Sequence, residues 1–482
     1  MCINLTRQIN LLPWVRYIDM NIYHFKRAVV SGLQRVILNA PPLIGTYADD
    51  SFGLSVDFNT AGNICVIGNP PYDTTDTGAV KVYKQNPSTK LWEQLGGNIT
   101  GVVGERIGYS VAITGDGLRI VVGSEGSNVV NGSVYVYDYD GTDWVKTSTI
   151  TGQGVAYWSG FSVAINSTGN TVAFGSPKDD ASGTDKGSVV IYRQRYGAWV
   201  NIGTLYGELV GDNSGWSIAL NSLGNILVVG APFNDSPTTT DTGHTRIYQY
   251  SGPTGWTADT LPSTWAQLGL DIDGTPNSQA GFSVACNDSG NTIAIGNIHD
   301  STVSANGGVV KVYRYVSGSW IQYGDAIAGD AGDLTGYSVS FDNTGSELAV
   351  SYPYKDSASK VDTGAVEIYR YSNAAWRKTY PRIPGITAGE TSGWSLALSK
   401  NARNIIIGAP NYVEGGNKLG IARIYTLPKQ YAFWDFNYIQ TSTLNSFKIT
   451  AATSPSIVIK WGDGTADTTT TSATPVSHTY TI

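Results

Sequence analysis

Aliphatic residues fall in short runs along this chain, and each run ends at Gly, Asn, Asp or Thr. The stretch from Phe161 to Asn166 alternates apolar and small or polar residues, as a half-buried strand does. Ser167 to Asn170 then reads as a turn, and Thr171 to Gly175 as a second, wholly apolar strand. A polar loop from Ser176 to Lys186 leads to a third strand, Ser188 to Arg193. A fourth strand is centred on Trp199. Turn chemistry bounds every segment, so the pattern predicts four antiparallel strands joined by hairpins.

That unit repeats. Gly-aromatic-Ser-aliphatic occurs at Gly108, Gly160, Gly215, Gly281, Gly336 and Gly393, and a variant with Leu54 for the aromatic begins at Gly53. The seven copies are spaced by 55, 52, 55, 66, 55 and 57 residues. A second unit, Gly-x-x-x-aliphatic-Tyr, ends at Tyr83, Tyr137, Tyr192, Tyr248, Tyr313, Tyr369 and Tyr425. A Trp follows at Trp92, Trp144, Trp199, Trp265, Trp320 and Trp376, and 16 or 17 residues separate each from the next motif Gly. Four antiparallel strands repeated seven times predict an all-β chain built on a seven-bladed β-propeller, spanning 31–427. The motif Gly is expected to permit close blade approach, and the aromatic to pack between blades.

The seventh unit has no Trp strand after Tyr425, and Pro428 lacks the donor that a ladder needs. Counting 16 residues back from Gly53 lands on Ile37, so an N-terminal strand is expected to close the ring and remove its edges. Trp434 is the alternative source of that strand. The 66-residue step holds an insertion, and either Trp256 or Trp265 suits the fourth strand there. Residues 1–30 form a basic arm, with Arg7, Arg16, Lys26 and Arg27 against Asp19.

Charged residues make up 14% of the chain, against ~25% on average, and the net charge is −7. No Lys/Arg cluster lies outside the first thirty residues, which argues against nucleic acid as a partner. No apolar run is long enough for a transmembrane segment. Arg7, Pro13, Arg16 and Asp19 interrupt any leader-like stretch. Cys2, Cys65 and Cys286 are too few for a disulfide framework, and the four His show no metal-ligand spacing. No nucleophile elbow, phosphate-binding loop or His-Glu-x-x-His is present, so no enzyme, cofactor or metal is expected.

Phe52-Gly53-Leu54-Ser55-Val56, Gly230-Ala231-Pro232, Gly408-Ala409-Pro410 and Gly132-Ser133-Val134-Tyr135-Val136-Tyr137 resemble the FG-GAP repeats of the integrin α-subunit propeller family. Calcium binding is not carried over from the resemblance. The connections between strands 1 and 2, such as Asn59 to Asn63 and Asn166 to Asn170, are short and poor in carboxylates. The tail from Ile457 to Thr465, with His478-Thr479-Tyr480, resembles a PKD-like module. It predicts a small immunoglobulin-type β-sandwich over 431–482, although about 50 residues fall short of the usual ~100.

In integrin relatives the face bearing the strand 2–3 and 4–1 loops binds ligand. The resemblance therefore nominates Asp73, Asp76, Asp179, Asp185, Asp235, Asp241, Asp300, Asp356 and Asp362. Each is set against a plainer role, capping its own loop. The expectation is a non-enzymatic surface binding or adhesion protein, displayed in several copies and facing a glycan or protein ligand. It would sit outside the cell or on a particle surface. The alternatives are a structural component of a virion or cell-surface layer, and a glycan-active propeller enzyme.

Overall fold

The computed structural model describes residues 36–428, apart from 39–40, 47–48, 71–76, 126–130, 253–263 and 358, together with the backbone of five later strands. Residues 36–427 form one compact unit of seven four-stranded antiparallel blades, a β-propeller. Blade 3 is typical. Its strands Ser162–Ile165, Thr171–Ser176, Ser188–Arg195 and Ala198–Tyr206 pair in sequence order. The innermost strands of blades 1 to 7 begin at Ser55, Ile107, Ser162, Ser217, Ala280, Val339 and Ser395. In blade 7 the outer position is taken by Ile37–Leu38 and Leu43–Ile44, both antiparallel to Ile421–Thr426. Most other blades split the fourth strand in the same way, as blade 1 does with Trp92–Gln94 and Ile99–Thr100.

Every second strand is buried along its length, apart from Arg119 at the start of the one in blade 2, because it is covered on both faces by neighbouring blades. That is why these strands read as unbroken aliphatic runs and not as alternating ones. The described core divides into seven clusters, one at each blade interface. The closing cluster joins Phe58, Cys65, Ile67 and Trp92 of blade 1 to Ala397, Ile406 and Ile424 of blade 7. The indole N–H of Trp144 donates to the Leu95 carbonyl (2.8 Å) of the preceding blade, and Trp320 and Trp376 repeat the bond. Trp265, not Trp256, heads the fourth strand of blade 4; Trp256 lies outside the described residues.

A chain of hydrogen bonds explains the Gly-aromatic-Ser motif. The Ser55 hydroxyl donates to the Gly108 carbonyl of the next blade (2.9 Å). Ser110, Ser162, Ser217 and Ser283 repeat this onto Gly160, Gly215, Gly281 and Gly336. Ser395 closes the circle onto Gly53 (2.7 Å). Each accepting carbonyl presses on a glycine in the second strand of the donor's blade. A Cβ at Gly230, for example, would lie 2.0 Å from the Gly281 oxygen. Blade 6 carries Ser351 where the others have that glycine. There the pattern changes: Ser338 N–H donates to the Ser351 hydroxyl (2.8 Å), and the Ser338 hydroxyl accepts from Leu396 N–H (3.3 Å).

At the opposite end of the inner strands the short 1–2 turns link tangentially. N–H groups of Thr60, Gly115, Ser167, Ser222, Asp288 and Asn343 each donate to the carbonyl of the next turn. Within a turn, the Asn59 side chain accepts from the N–H groups of Asn63 and Ile64 (both 3.0 Å). Asn221, Asn287 and Asp342 do the same in their own turns. The carboxamides are spent on their own backbone, as tight capped turns require.

Beyond residue 428 the described backbone forms a three-stranded antiparallel sheet, from Asp435–Thr441, Leu444–Thr450 and Val476–Tyr480. Ile457–Ile459 and Thr468–Thr470 make a separate two-stranded sheet. The expected PKD-like sandwich is not shown by these strands. The basic arm 1–30 and Trp434 lie outside the described residues.

Candidate axial site

The motif aromatics stand outside the seven buried core clusters. Each follows the connection from the preceding blade, so it stands where the inner strand begins, at one mouth of the central axis. Tyr109, Phe161, Trp216, Phe282, Tyr337 and Trp394 are all half-buried, and so is Leu54 at the seventh position. The rings touch from blade to blade. Successive centroids from Tyr109 to Trp394 lie 5.0, 4.6, 5.7, 4.9 and 4.6 Å apart, and the planes are tilted by 40–51°. Seven members at this spacing put opposite centroids about 11 Å apart, and the Tyr109 phenol is near enough across the ring to help raise that of Tyr337. The collar is recessed: burial holds the Tyr109 and Tyr337 phenols far above their ordinary value, so both stay protonated.

Two residues before the motif Gly the backbone turns left-handed in six blades, at Arg106, Trp158, Asn213, Gln279, Leu334 and Thr391. None of these is Gly, and such a conformation costs roughly 1–2 kcal/mol for a residue with a Cβ. At Arg106 and Trp158 the turn sets the side chain against a collar ring. Trp158 stacks on Phe161 (5.7 Å, 13°), and the Lys178 ammonium lies 5.6 Å from the Trp158 ring. Phe233 meets Trp216 edge-on (5.3 Å).

Blade 2 departs from the repeat. Five blades carry Pro after the second strand: Pro70, Pro177, Pro232, Pro353 and Pro410. Blade 2 carries Glu125, 4% exposed, paired with the guanidinium of Arg106. Arg106 itself lies over the Tyr109 ring (5.6 Å), and 31% of its side chain is exposed. Burial pushes the Glu125 carboxyl up to about 7, against the pull of Arg106. The sequence held this signal, since a Glu in a Pro position is visible once the repeats are aligned.

The described members of the nominated carboxylates are engaged within their own loops. Asp73 and Asp76 lie outside the described residues. Asp179 is buried and accepts from Ala181 N–H (2.8 Å) and from the Ser188 hydroxyl. Asp300 is buried, accepts from Thr302 N–H (2.9 Å), and lies 3.7 Å from the Lys311 ammonium. Asp185 pairs with Lys178 (3.0 Å). Asp241 and Asp362 are left-handed, and their N–H groups donate to Asp235 and Asp356 (both 2.9 Å). Burial first, and the neighbouring carboxylate second, raise the Asp241 and Asp362 carboxyls.

Glu208, His244 and Asp271 are the one group among the described residues with metal-ligand proximity. Arg246 already occupies it, 2.5 Å from Glu208 and 2.9 Å from Asp271, so the carboxylates face a cation the chain supplies. Burial, then Arg246, holds the His244 imidazole below its ordinary value. Cys65 and Cys286 are buried, and burial pushes the Cys286 thiol up to about 12. Neither is poised as a nucleophile.

No family model matches the chain, and no curated protein matches it by sequence. The fold is similar to a solved structure described as "a putative 6-phosphogluconolactonase from Bacteroides uniformis ATCC 8492". The TM-score is 0.50 at 10% identity, over 86% of this chain and 98% of that one. At that identity the likeness shows the propeller fold alone. It corrects the adhesion reading: the structure found alongside this chain is named as an enzyme, and no FG-GAP match accompanies it. The resemblance to integrin repeats therefore described blade construction, which unrelated propellers share, and did not describe function.

Proposed function

We propose that this chain is a small-molecule-binding propeller whose site is the aromatic collar at the axial mouth. One observation carries the reading: six aromatic rings stay partly exposed in a continuous belt, although the blade cores beside them are fully buried. Packing alone would bury them. A mouth ringed at this spacing excludes a folded partner, which confines the reading to a small molecule. Tilted aromatic faces suit stacking against such a ring. The left-handed residues over the collar add the strain that functional sites tend to hold. We also read the N-terminal strands as the clasp that closes the ring and keeps the collar round.

Trp216 and Trp394 report directly on the collar. Titration with small ring compounds is expected to change tryptophan emission saturably. Trp216→Ala is expected to weaken binding at least tenfold, by removing about 1.5 kcal/mol or more of ring contact. The paired loop variant Asp235→Asn/Asp241→Asn is expected to bind as the parent does. Saturable binding untouched by Trp216→Ala would contradict the reading.

A further inference from the structure

Resting on the axial-site reading, we infer that Arg106 is an anion contact of the collar, gated by Glu125 beneath it, and that the site takes a ring compound bearing a carboxylate or a similar anionic group. The placement is built. Arg106 is held left-handed (φ 49°), lies over Tyr109, and keeps 31% of its side chain exposed while it pairs with buried Glu125. Glu125 stands where five blades carry Pro, and the Arg106 position differs in every blade, so neither side chain is fixed by blade construction. Among the described residues, Arg106 is the ion-pair partner of buried Glu125. An incoming anion therefore competes with Glu125 for the same guanidinium, whose planar fork matches a carboxylate.

The groups facing this pair are few. Tyr109 stands against it with its phenol protonated. Glu105 lies on the same connection and receives the Tyr135 hydroxyl, over whose ring Lys146 sits (4.8 Å). The Glu125 carboxyl, held near 7, loses its charge as pH falls from 8 to 6. Arg106 is then uncompensated, so anion binding strengthens toward pH 6.

The test uses two pairs of probes alike in shape and unlike in charge: benzoate with benzamide, and glucuronate with glucuronamide. Both anions keep their charge from pH 6 to 8. Calorimetric titration of the full chain is expected to show at least one anion bound about tenfold tighter than its amide at pH 6, with the preference reduced at pH 8. Arg106→Gln is expected to abolish the preference and leave amide binding in place. Glu125→Gln is expected to hold the preference at its pH 6 size through pH 8, a result that mere misfolding does not produce. Equal binding of anion and amide would overturn the anion contact and leave the collar standing, and so would a preference that survives Arg106→Gln. No binding by any of the four compounds would overturn the collar site and the contact together.

Discussion

Replacing Gly230 with alanine is expected to cost about 3 kcal/mol, the upper range for over-packing plus one lost hydrogen bond. The new methyl would lie 2.0 Å from the Gly281 carbonyl oxygen and 2.5 Å from the Ser217 hydroxyl. The closer clash is with the backbone of the next blade, which has no rotamer to turn away. Blades 4 and 5 must separate, and the 2.7 Å bond from Ser217 to Gly281 goes with the contact. Ser351→Ala is the control. Blade 6 already accommodates a Cβ there, so only the 2.8 Å bond from Ser338 N–H is lost, about 1 kcal/mol. Denaturant midpoints of the two variants check the difference. Equal midpoints would mean that the carbonyl chain does not hold the blades together.

The second large effect is expected at Glu390. Its carboxylate and the Arg423 guanidinium form a two-bond pair (2.7 and 3.0 Å), 0% and 2% exposed. The same carboxylate receives the N–H groups of Ile386 (2.8 Å) and Thr387 (3.1 Å), so it pins the connection between blades 6 and 7. Glu390→Ala strands a buried guanidinium and frees those two donors. The expected loss is about 3–5 kcal/mol. The pair also predicts a pH dependence. Arg423 and these hydrogen bonds hold the folded carboxyl below its ordinary value, despite the opposing effect of burial. Its stabilisation is therefore complete above the unfolded carboxyl range, about 4.3, and is lost as pH falls through the folded value. Denaturation of parent and Glu390→Ala at pH 7 and pH 3.5 checks this: the gap between them should narrow in acid.

The propeller was legible because its constraints are local and recur. Gly and Ser at fixed spacing are what a carbonyl-to-hydroxyl chain between blades demands, and Asn with Gly is what each capped turn demands. Function was not legible by the same route, since a sevenfold motif reports construction. Whether Phe161 or Trp216 faces a neighbour or the axis depends on how seven blades close, and no alternation pattern contains that. The loop carboxylates drew notice because they recur. Glu125 matters for the opposite reason, because it breaks its column of the repeat, and Arg106 sits in a column that no blade shares.

A crystal structure of the chain soaked with benzoate tests the central claim most directly. The collar account predicts density on the propeller axis, within about 4 Å of Tyr109, Trp216 or Tyr337, with the carboxylate turned toward Arg106. Density at the outer 2–3 loops, or an axis left empty while benzoate binds elsewhere, would contradict it.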